Sequence, residues 1–233
     1  MGLRGPKPRG EISTQWSANL AYAIGLIATD GNLSPNGRMM TFVSKDLQLI
    51  KTFQDCLGID KKLHLKKSGF VPTKKCYFVN FGDVLFYHFL LSIGLSQAKS
   101  RTMGALKIPD QYFIDFLRGS FDGDGSFYSY WDKRWASSFL FYLSFVSASS
   151  AHIDWLRKKI KNLLGPKGHA GKEMYTNKAY QLKYAKQEAR IILKKMYYSP
   201  ALPKLERKFK KVYDALAVDT KHAGVLKLVD RPA

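Results

Sequence analysis

The chain has 233 residues, and its 38 Lys and Arg against 18 Asp and Glu give a formal net charge of +20 at pH 7. Hydrophobic residues make up 45% of the sequence, which excludes a disordered chain and predicts one or two folded domains. The positive charge indicates a polyanionic partner, because each phosphate that a basic side chain neutralises releases condensed counterions. Charge alone leaves DNA, RNA and a merely solvated basic surface open.

Cysteine usage and apolar runs indicate where the protein works. Cys56 and Cys76 are too few for a disulfide framework or a zinc site, so a reducing compartment is predicted, cytoplasmic with organellar encoding left open. The apolar run 84–91 is too short to span a bilayer, and residues 1–10 lack the apolar core of a signal peptide. We therefore expect no membrane association and interpret residues 1–17 as a basic N-terminal arm.

One short pattern occurs twice, each time after an apolar helical run. Residues 25–31 read Gly-Leu-Ile-Ala-Thr-Asp-Gly, and residues 119–125 read Gly-Ser-Phe-Asp-Gly-Asp-Gly. Gly25 and Gly119 fall inside the predicted helices, where glycine costs about 1 kcal/mol relative to alanine. We therefore expect both glycines to let two helix backbones approach closely.

Each copy ends in an Asp-Gly pair at the predicted end of its helix. Gly31 and Gly125 are expected to form left-handed caps, which leaves Asp30 and Asp124 as the terminal helical residues. A carboxylate there is disfavoured by a few tenths to about 1 kcal/mol by the helix dipole. Two such carboxylates side by side need a shared cation, and hard oxygen ligands completed by water favour magnesium. An ordinary turn signal explains either copy alone, but explains the pair poorly.

The first half, 18–94, has a predicted order of helix, hairpin, helix, hairpin and helix. Ser17 or Asn19 is expected to cap the motif helix, Asp46 the second helix and Asp83 the third. The remaining predicted elements are a hairpin over 32–44, a helix over 47–57, strands over 62–68 and 75–81, and a helix from 84 to about 93.

The second half, 111–216, repeats this order after a predicted linker over 95–110. Residues 217–233 show little core pattern and are interpreted as a C-terminal tail. The predicted elements are a motif helix over 111–124, strands near 126–131 and 136–147, a helix over 150–164, a hairpin near 170–185, and helices over 186–197 and 203–216.

The two patterns, with their aspartates 94 positions apart, resemble the paired motifs of single-chain LAGLIDADG homing endonucleases. The resemblance implies an α+β fold, in which two pseudo-twofold-related αββαββα halves form a curved antiparallel β saddle with helices on its back. It also implies a monomeric, intron-encoded endonuclease that cleaves a long, asymmetric double-stranded DNA target by metal-dependent phosphodiester hydrolysis and leaves 3′ overhangs.

The same resemblance implies the catalytic residues and the cofactor. Asp30 and Asp124 would bind Mg²⁺ or Mn²⁺, whereas Ca²⁺ would bind without supporting cleavage. Lys99 and Lys208 would reach the scissile phosphate or the attacking water, where a cation stabilises the developing charge. Lys45 corresponds to a polar residue that orders water near the metals, a role without an equivalent lysine in the second half. A solvated or phosphate-binding lysine stays open as the alternative for Lys99 and Lys208.

Alternation along the strands predicts which side chains face nucleic acid. Polar residues alternate with leucines over 63–68, and with a Tyr-Leu-Tyr face over 180–184. Such a polar face can read base edges in the major groove, although the solvated side of a half-buried strand gives the same pattern. Residues 139–145 are bulky and apolar on both faces and give no assignment. The predicted DNA-binding residues are Asn32, Arg38, His64, Lys66, Ser68, Ser126, Tyr128, Lys172, Gln181 and Lys183.

Two other functions on the same scaffold stay open. An RNA intron-splicing maturase fits the positive charge equally well. A DNA-binding regulator without nuclease activity is less favoured, because both Asp30 and Asp124 are present. Asp122 lies two positions before Asp124 and points elsewhere on the helix, so it is left out of the catalytic set.

Overall fold

The computed structural model describes residues 10–67, 75–135, 138–172 and 179–229, with Lys67 and residues 221–229 as backbone only. These residues form eight α-helices and two four-stranded antiparallel sheets. The first half contains α1 (Ala18–Asp30), β1 (Gly31–Leu33), β2 (Met39–Ser44), α2 (Leu47–Leu57), β3 (Leu63–Lys67), β4 (Lys75–Gly82) and α3 (Val84–Ser92). A short helix α4 (Lys99–Thr102) and a 3-10 turn (Asp110–Tyr112) follow. The second half contains α5 (Phe113–Gly123), β5 (Ser126–Trp131), β6 (Phe139–Ser147), α6 (Ser150–Leu164), β7 (His169–Lys172), β8 (Tyr180–Ala185), α7 (Lys186–Met196) and α8 (Glu206–Val229).

The two halves repeat one topology. The strand orders are β1-β2-β4-β3 and β5-β6-β8-β7, and all pairings are antiparallel. Helices α2 and α3 pack on the first sheet, and α6 and α7 pack on the second. This confirms the predicted α+β fold of two pseudo-twofold-related αββαββα halves, with helices on the back of a β saddle. We call the opposite side of each sheet its open face.

The motif helices α1 and α5 pack side by side at the centre of the molecule. A Cβ atom on Gly25 would lie 2.3 Å from the Phe116 carbonyl oxygen, and one on Gly119 would lie 2.1 Å from the Tyr22 carbonyl oxygen. The expected close approach of two backbones is therefore confirmed. Tyr22 meets Gly119 and Thr29 meets Gly123, so the helices run parallel and their C-terminal ends lie together.

The predicted left-handed caps are wrong. Gly31 has φ −80° and ψ 152°, an extended conformation, and Gly125 is not among the glycines with positive φ. Both positions need glycine because space is short. A Cβ on Gly31 would lie 2.7 Å from the backbone of Ile27, and one on Gly125 would lie 2.6 Å from Phe121 Cα. The chain thus folds back tightly against its own last helical turn.

The predicted helix starts are mostly confirmed. The Ser17 side chain accepts a hydrogen bond from the Leu20 N–H at 3.1 Å, and the Asp83 side chain accepts one from Phe86 N–H at 2.8 Å. Asp46 occupies the N-cap of α2 without a capping side-chain bond, because its carboxylate binds Arg207 at 2.8 and 2.9 Å instead.

Three connecting segments are more ordered than the sequence indicates. Within the predicted arm, residues 1–9 lie outside the described residues, but Glu11 and Ile12 donate backbone hydrogen bonds to Asp83. In the predicted linker, Leu95, Met103, Leu106 and Ile108 are buried. In the predicted tail, α8 continues to Val229, and buried Asp219 pairs with Lys186 and Arg190.

Candidate active site

Asp30 and Asp124 lie at the adjacent C-terminal ends of α1 and α5. Asp30 is the last residue of α1, as predicted, whereas α5 ends at Gly123, one residue earlier than predicted, and Asp124 is its C-cap. A Cβ on Gly123 would lie only 3.0 Å from Asp30 Oδ2, so the Asp30 carboxylate rests against the end of the other motif helix. The parallel packing of the two helices therefore brings both acids to one place.

The two carboxylates are costly to ionise together. Burial, and then the charge of Asp124, raise the pKa of Asp30 to about 7, although Lys208 and Lys99 act in the opposite direction. Partial burial also raises the pKa of Asp124 against the same two lysines. The two ammonium groups therefore only partly offset the burial of Asp30 and its repulsion from Asp124, and a cation bound by both carboxylates would relieve that repulsion.

Lys208 caps the end of α5. Its three N–H groups are shared among four backbone carbonyl oxygens, of Phe121 at 2.6 Å, Asp122 at 3.0 Å, Gly123 at 3.0 Å and Gly125 at 2.7 Å from Nζ. The first three are carbonyls of the last turn, which a helix end leaves unpaired, and a cation there also opposes the negative end of the dipole. Burial lowers the pKa of Lys208 to about 8.

Lys99 holds the equivalent position at the end of α1. Its Nζ donates to the carbonyl oxygen of Gly31, the counterpart of Gly125. Burial lowers the pKa of Lys99, while the charges of Asp30 and Asp124 raise it. The structure thus brings both predicted lysines to the two acids, with their ammonium groups bound to backbone carbonyls. Their predicted contact with a scissile phosphate stays a prediction.

Lys45 is placed differently from the other two lysines. It is exposed in the loop between β2 and α2, and within the described part of the chain it makes no hydrogen bond or ion pair. The predicted one-sided role in ordering water therefore has no structural contact to support it.

The donor set suits a hard divalent cation bound together with DNA. No group of three or more His, Cys, Asp or Glu able to hold a metal occurs among the described residues, so the ligands that the protein offers here are the two carboxylates. Mg²⁺ is commonly held by one or two carboxylates, with waters and substrate phosphates completing the octahedron.

A cavity of about 150 Å³ lies behind Asp124, between the motif helices, β6 and α6. His152 lines it, is buried, and places Nδ1 3.0 Å from the Gly104 carbonyl oxygen. Burial lowers the pKa of His152, although the contact with the Gly104 carbonyl raises it. The sequence does not single out His152, because a single His near the start of an amphipathic helix carries no distinguishing pattern.

Solved structures share this architecture over most of the chain. The LAGLIDADG meganuclease I-AabMI bound to uncleaved DNA has a TM-score of 0.60 at 14% identity, covering 87% of this chain and 91% of that one. The LAGLIDADG homing endonuclease I-GzeII in complex with a DNA target has a TM-score of 0.58 at 12% identity, covering 88% of this chain and 92% of that one. I-DmoI in complex with DNA and Mn has a TM-score of 0.51 at 18% identity, covering 79% of this chain and 98% of that one. This chain has the single-chain LAGLIDADG homing endonuclease fold. The resemblance read from the two motifs is thereby confirmed.

Comparisons at the level of sequence found no match. The chain matches no protein-family model and no curated protein sequence. Among the described residues, no helix is both long and apolar enough to cross a membrane.

Within the LAGLIDADG fold, Asp122 joins the two halves and lies apart from the acid pair. It is buried, and its Oδ2 accepts hydrogen bonds from the Tyr22 hydroxyl at 2.7 Å and the Leu205 N–H at 2.8 Å. Burial raises the pKa of Asp122 to about 6, although both hydrogen bonds lower it. Its omission from the catalytic set stays a prediction.

The open faces of the LAGLIDADG saddle carry most of the predicted DNA-binding residues. In the first sheet, Asn32 is in register with Thr41, and His64 stacks on Phe78 with Lys66 beside the same ring. In the second sheet, the open face includes Ser126, Tyr128, Gln181 and Lys183.

Two predicted DNA-binding residues, Arg38 and Lys172, lie away from the open faces. Arg38 is exposed in the turn before β2. Lys172 is in register with Tyr180, which places it on the helix-covered side of β7, opposite to Gln181. Ser68 lies outside the described residues.

Proposed function

We propose that the protein is a LAGLIDADG homing endonuclease that cuts a specific DNA duplex by divalent-metal-dependent hydrolysis. The observation that carries the proposal is the meeting of Asp30 and Asp124 at adjacent helix ends, beside two open β faces. Structures with this fold include complexes with target DNA and with Mn, which supports the same class of substrate and cofactor here.

Asp30 and Asp124 would hold Mg²⁺ or Mn²⁺ together with phosphate oxygens of the bound DNA. A bound divalent ion supplies positive charge that activates water and stabilises the leaving oxygen. Lys208 and Lys99 fix the two helix ends through their carbonyl contacts, and so fix the carboxylates relative to the saddle. Their charges also offset part of the negative charge that develops on the phosphate.

The two halves differ in sequence, so the target is long and asymmetric, and one chain suffices to bind it. We expect a monomer that leaves 3′ overhangs and binds DNA with Ca²⁺ without cutting it. Cys56 and Cys76 are both free thiols, which is compatible with a protein that acts in a reducing compartment.

The test is selection of a cleavage site from a randomised duplex library in Mg²⁺, followed by Asp30→Asn and Asp124→Asn. Each variant should lose double-strand cleavage by about 100-fold or more, since it removes half of the metal-binding carboxylates. Asp154→Asn is the matched control, because Asp154 is exposed on α6 on the helix-covered side. Undiminished cutting by either active-site variant would reject the proposal.

The same assay separates the other two functions. Specific duplex binding without cleavage in Mg²⁺ would identify a DNA-binding regulator. Specific binding and splicing of a host intron RNA, without DNA cleavage, would identify a maturase.

A further inference from the structure

One position on the open face differs chemically between the halves. Each sheet carries a row of paired residues that begins directly after the closing glycine of its motif. The first row is Asn32–Thr41–Asn80 and the second is Ser126–Ser144–Lys183. Asn80 and Lys183 are therefore equivalent under the pseudo-twofold axis, and each lies the same number of strands from its own aspartate.

Lys183 is held by aromatic rings. Its Nζ lies 4.1 Å from the centroid of the Tyr142 ring and 5.3 Å from that of Tyr128, and these two rings stack at 5.1 Å. Such cation–π contacts restrain the ammonium group. Within the described residues it has no hydrogen-bond or ion-pair partner, so the N–H donors that do not face the two rings are available to a ligand.

Asn80 is held by a hydrogen bond. Thr41 Oγ1 donates to Asn80 Oδ1 at 2.7 Å, which fixes the plane of the amide. The amide still offers two N–H donors and the second lone pair of Oδ1. Asn80 is exposed on the open face, so these groups can reach a ligand in front of the sheet.

The two side chains match different bases. Guanine presents two acceptors, N7 and O6, in the major groove, whereas adenine presents one acceptor, N7, and one donor, N6–H. An ammonium group only donates, and an amide both donates and accepts. We infer that Lys183 reads a guanine in the second half-site and that Asn80 reads an adenine at the equivalent position of the first half-site. This inference rests on the proposed function.

A tyrosine cluster positions Lys183 on the open face. The rings of Tyr128 and Tyr142 are nearly parallel, with 21° between their planes, and the Lys183 ammonium group lies beside both. Tyr130 stacks on the same two rings, at centroid distances of 6.4 and 6.3 Å. The cluster therefore holds the ammonium group in place, and base recognition in the duplex is assigned to that group.

The test exchanges the two residues and reads base preference by binding. A randomised DNA duplex library is selected without divalent metal, so cleavage does not interfere, on wild type, Lys183→Asn, Asn80→Lys and the double exchange. Lys183→Asn should change one position of the second half-site from guanine to adenine by roughly tenfold or more. Asn80→Lys should do the reverse at the mirrored position. Lys158→Asn, an exposed residue of α6, should change no preference.

Three outcomes of this experiment would contradict the inference, and one of them would also contradict the proposed function. An unchanged preference with Lys183→Asn, in a variant whose melting curve matches wild type, would overturn the inference alone. Equal weakening on all sequences with a shallower salt dependence would also overturn it, since that marks a phosphate contact. If wild type selects no sequence at all, the proposed function fails as well.

Discussion

The carboxyl group of Asp30 links the candidate site to the stability of the protein. Its pKa in the folded state is about 7, above the ordinary value of 3.8, because of burial and the charge of Asp124. The folded state therefore holds this proton more tightly than the unfolded state does. By linkage, the contribution of Asp30 to stability falls as pH rises from about 4 through 7.

Asp30→Asn should accordingly raise the free energy of unfolding in EDTA at pH 8 by roughly 2 kcal/mol, because it removes the cost of ionising this group. The gain should shrink as the pH is lowered towards 5. Urea denaturation at several pH values measures it, with Asp154→Asn as the control. Equal stabilities of Asp30→Asn and wild type at pH 8 would contradict the electrostatic interpretation.

Lys208 contributes to stability through the end of α5. Lys208→Met removes the donor from four carbonyl oxygens and should lower the free energy of unfolding by about 2 to 3 kcal/mol. Lys210→Met is the matched control, because Lys210 is exposed on the same helix and should change stability by less than about 0.5 kcal/mol. A similar small effect of both variants in thermal and urea melts would remove Lys208 from this role.

At the scale of single residues, the sequence locates the acids but not the lysine contacts. The repeated Asp-Gly pair is visible because it recurs with its flanking helix. That Lys208 binds the end of α5 depends on how α8 packs, which local pattern does not specify. Gly31 and Gly125 were misread because a left-handed cap and a tight return against the helix both require glycine.

At the scale of elements, the contact between α1 and α5 sets the geometry of the site. Gly25→Ala and Gly119→Ala should each lower the free energy of unfolding by about 3 kcal/mol or more, because the new methyl group meets a backbone carbonyl at 2.3 or 2.1 Å. Gly104→Ala is the control, since a Cβ there meets nothing within 4 Å. Equal stabilities of all three variants would rule out the tight helix contact.

Hydrophobic periodicity predicts most elements of this fold, and their order in both halves. It fails for α8 beyond residue 216, where the helix is anchored by polar contacts of Asp219 with Lys186 and Arg190. It also fails for the segment after α3, whose scattered apolar residues pack without a regular period. Both failures occur where tertiary contacts outweigh local pattern.

At the scale of the whole molecule, the contacts that join the two halves contribute unequally to stability. The buried hydrogen bond from Tyr22 to Asp122 crosses between the motif helices, whereas the Arg207–Asp46 pair is largely solvated. Tyr22→Phe should cost about 1 to 3 kcal/mol of stability, and Arg207→Met less than about 1 kcal/mol. Unfolding followed by fluorescence and circular dichroism compares them, and a larger effect of Arg207→Met would reverse this ranking.

The central claim is that Asp30 and Asp124 jointly bind divalent cations at the DNA. The most direct measurement is a titration of Mn²⁺ into the protein bound to its selected duplex, with free Mn²⁺ followed by electron paramagnetic resonance. Wild type should bind Mn²⁺ more tightly as pH rises through about 7, because the proton on Asp30 competes with the metal. Asp30→Asn and Asp124→Asn should each weaken binding by about tenfold or more. The same number of sites and the same affinity in all three proteins would contradict the claim.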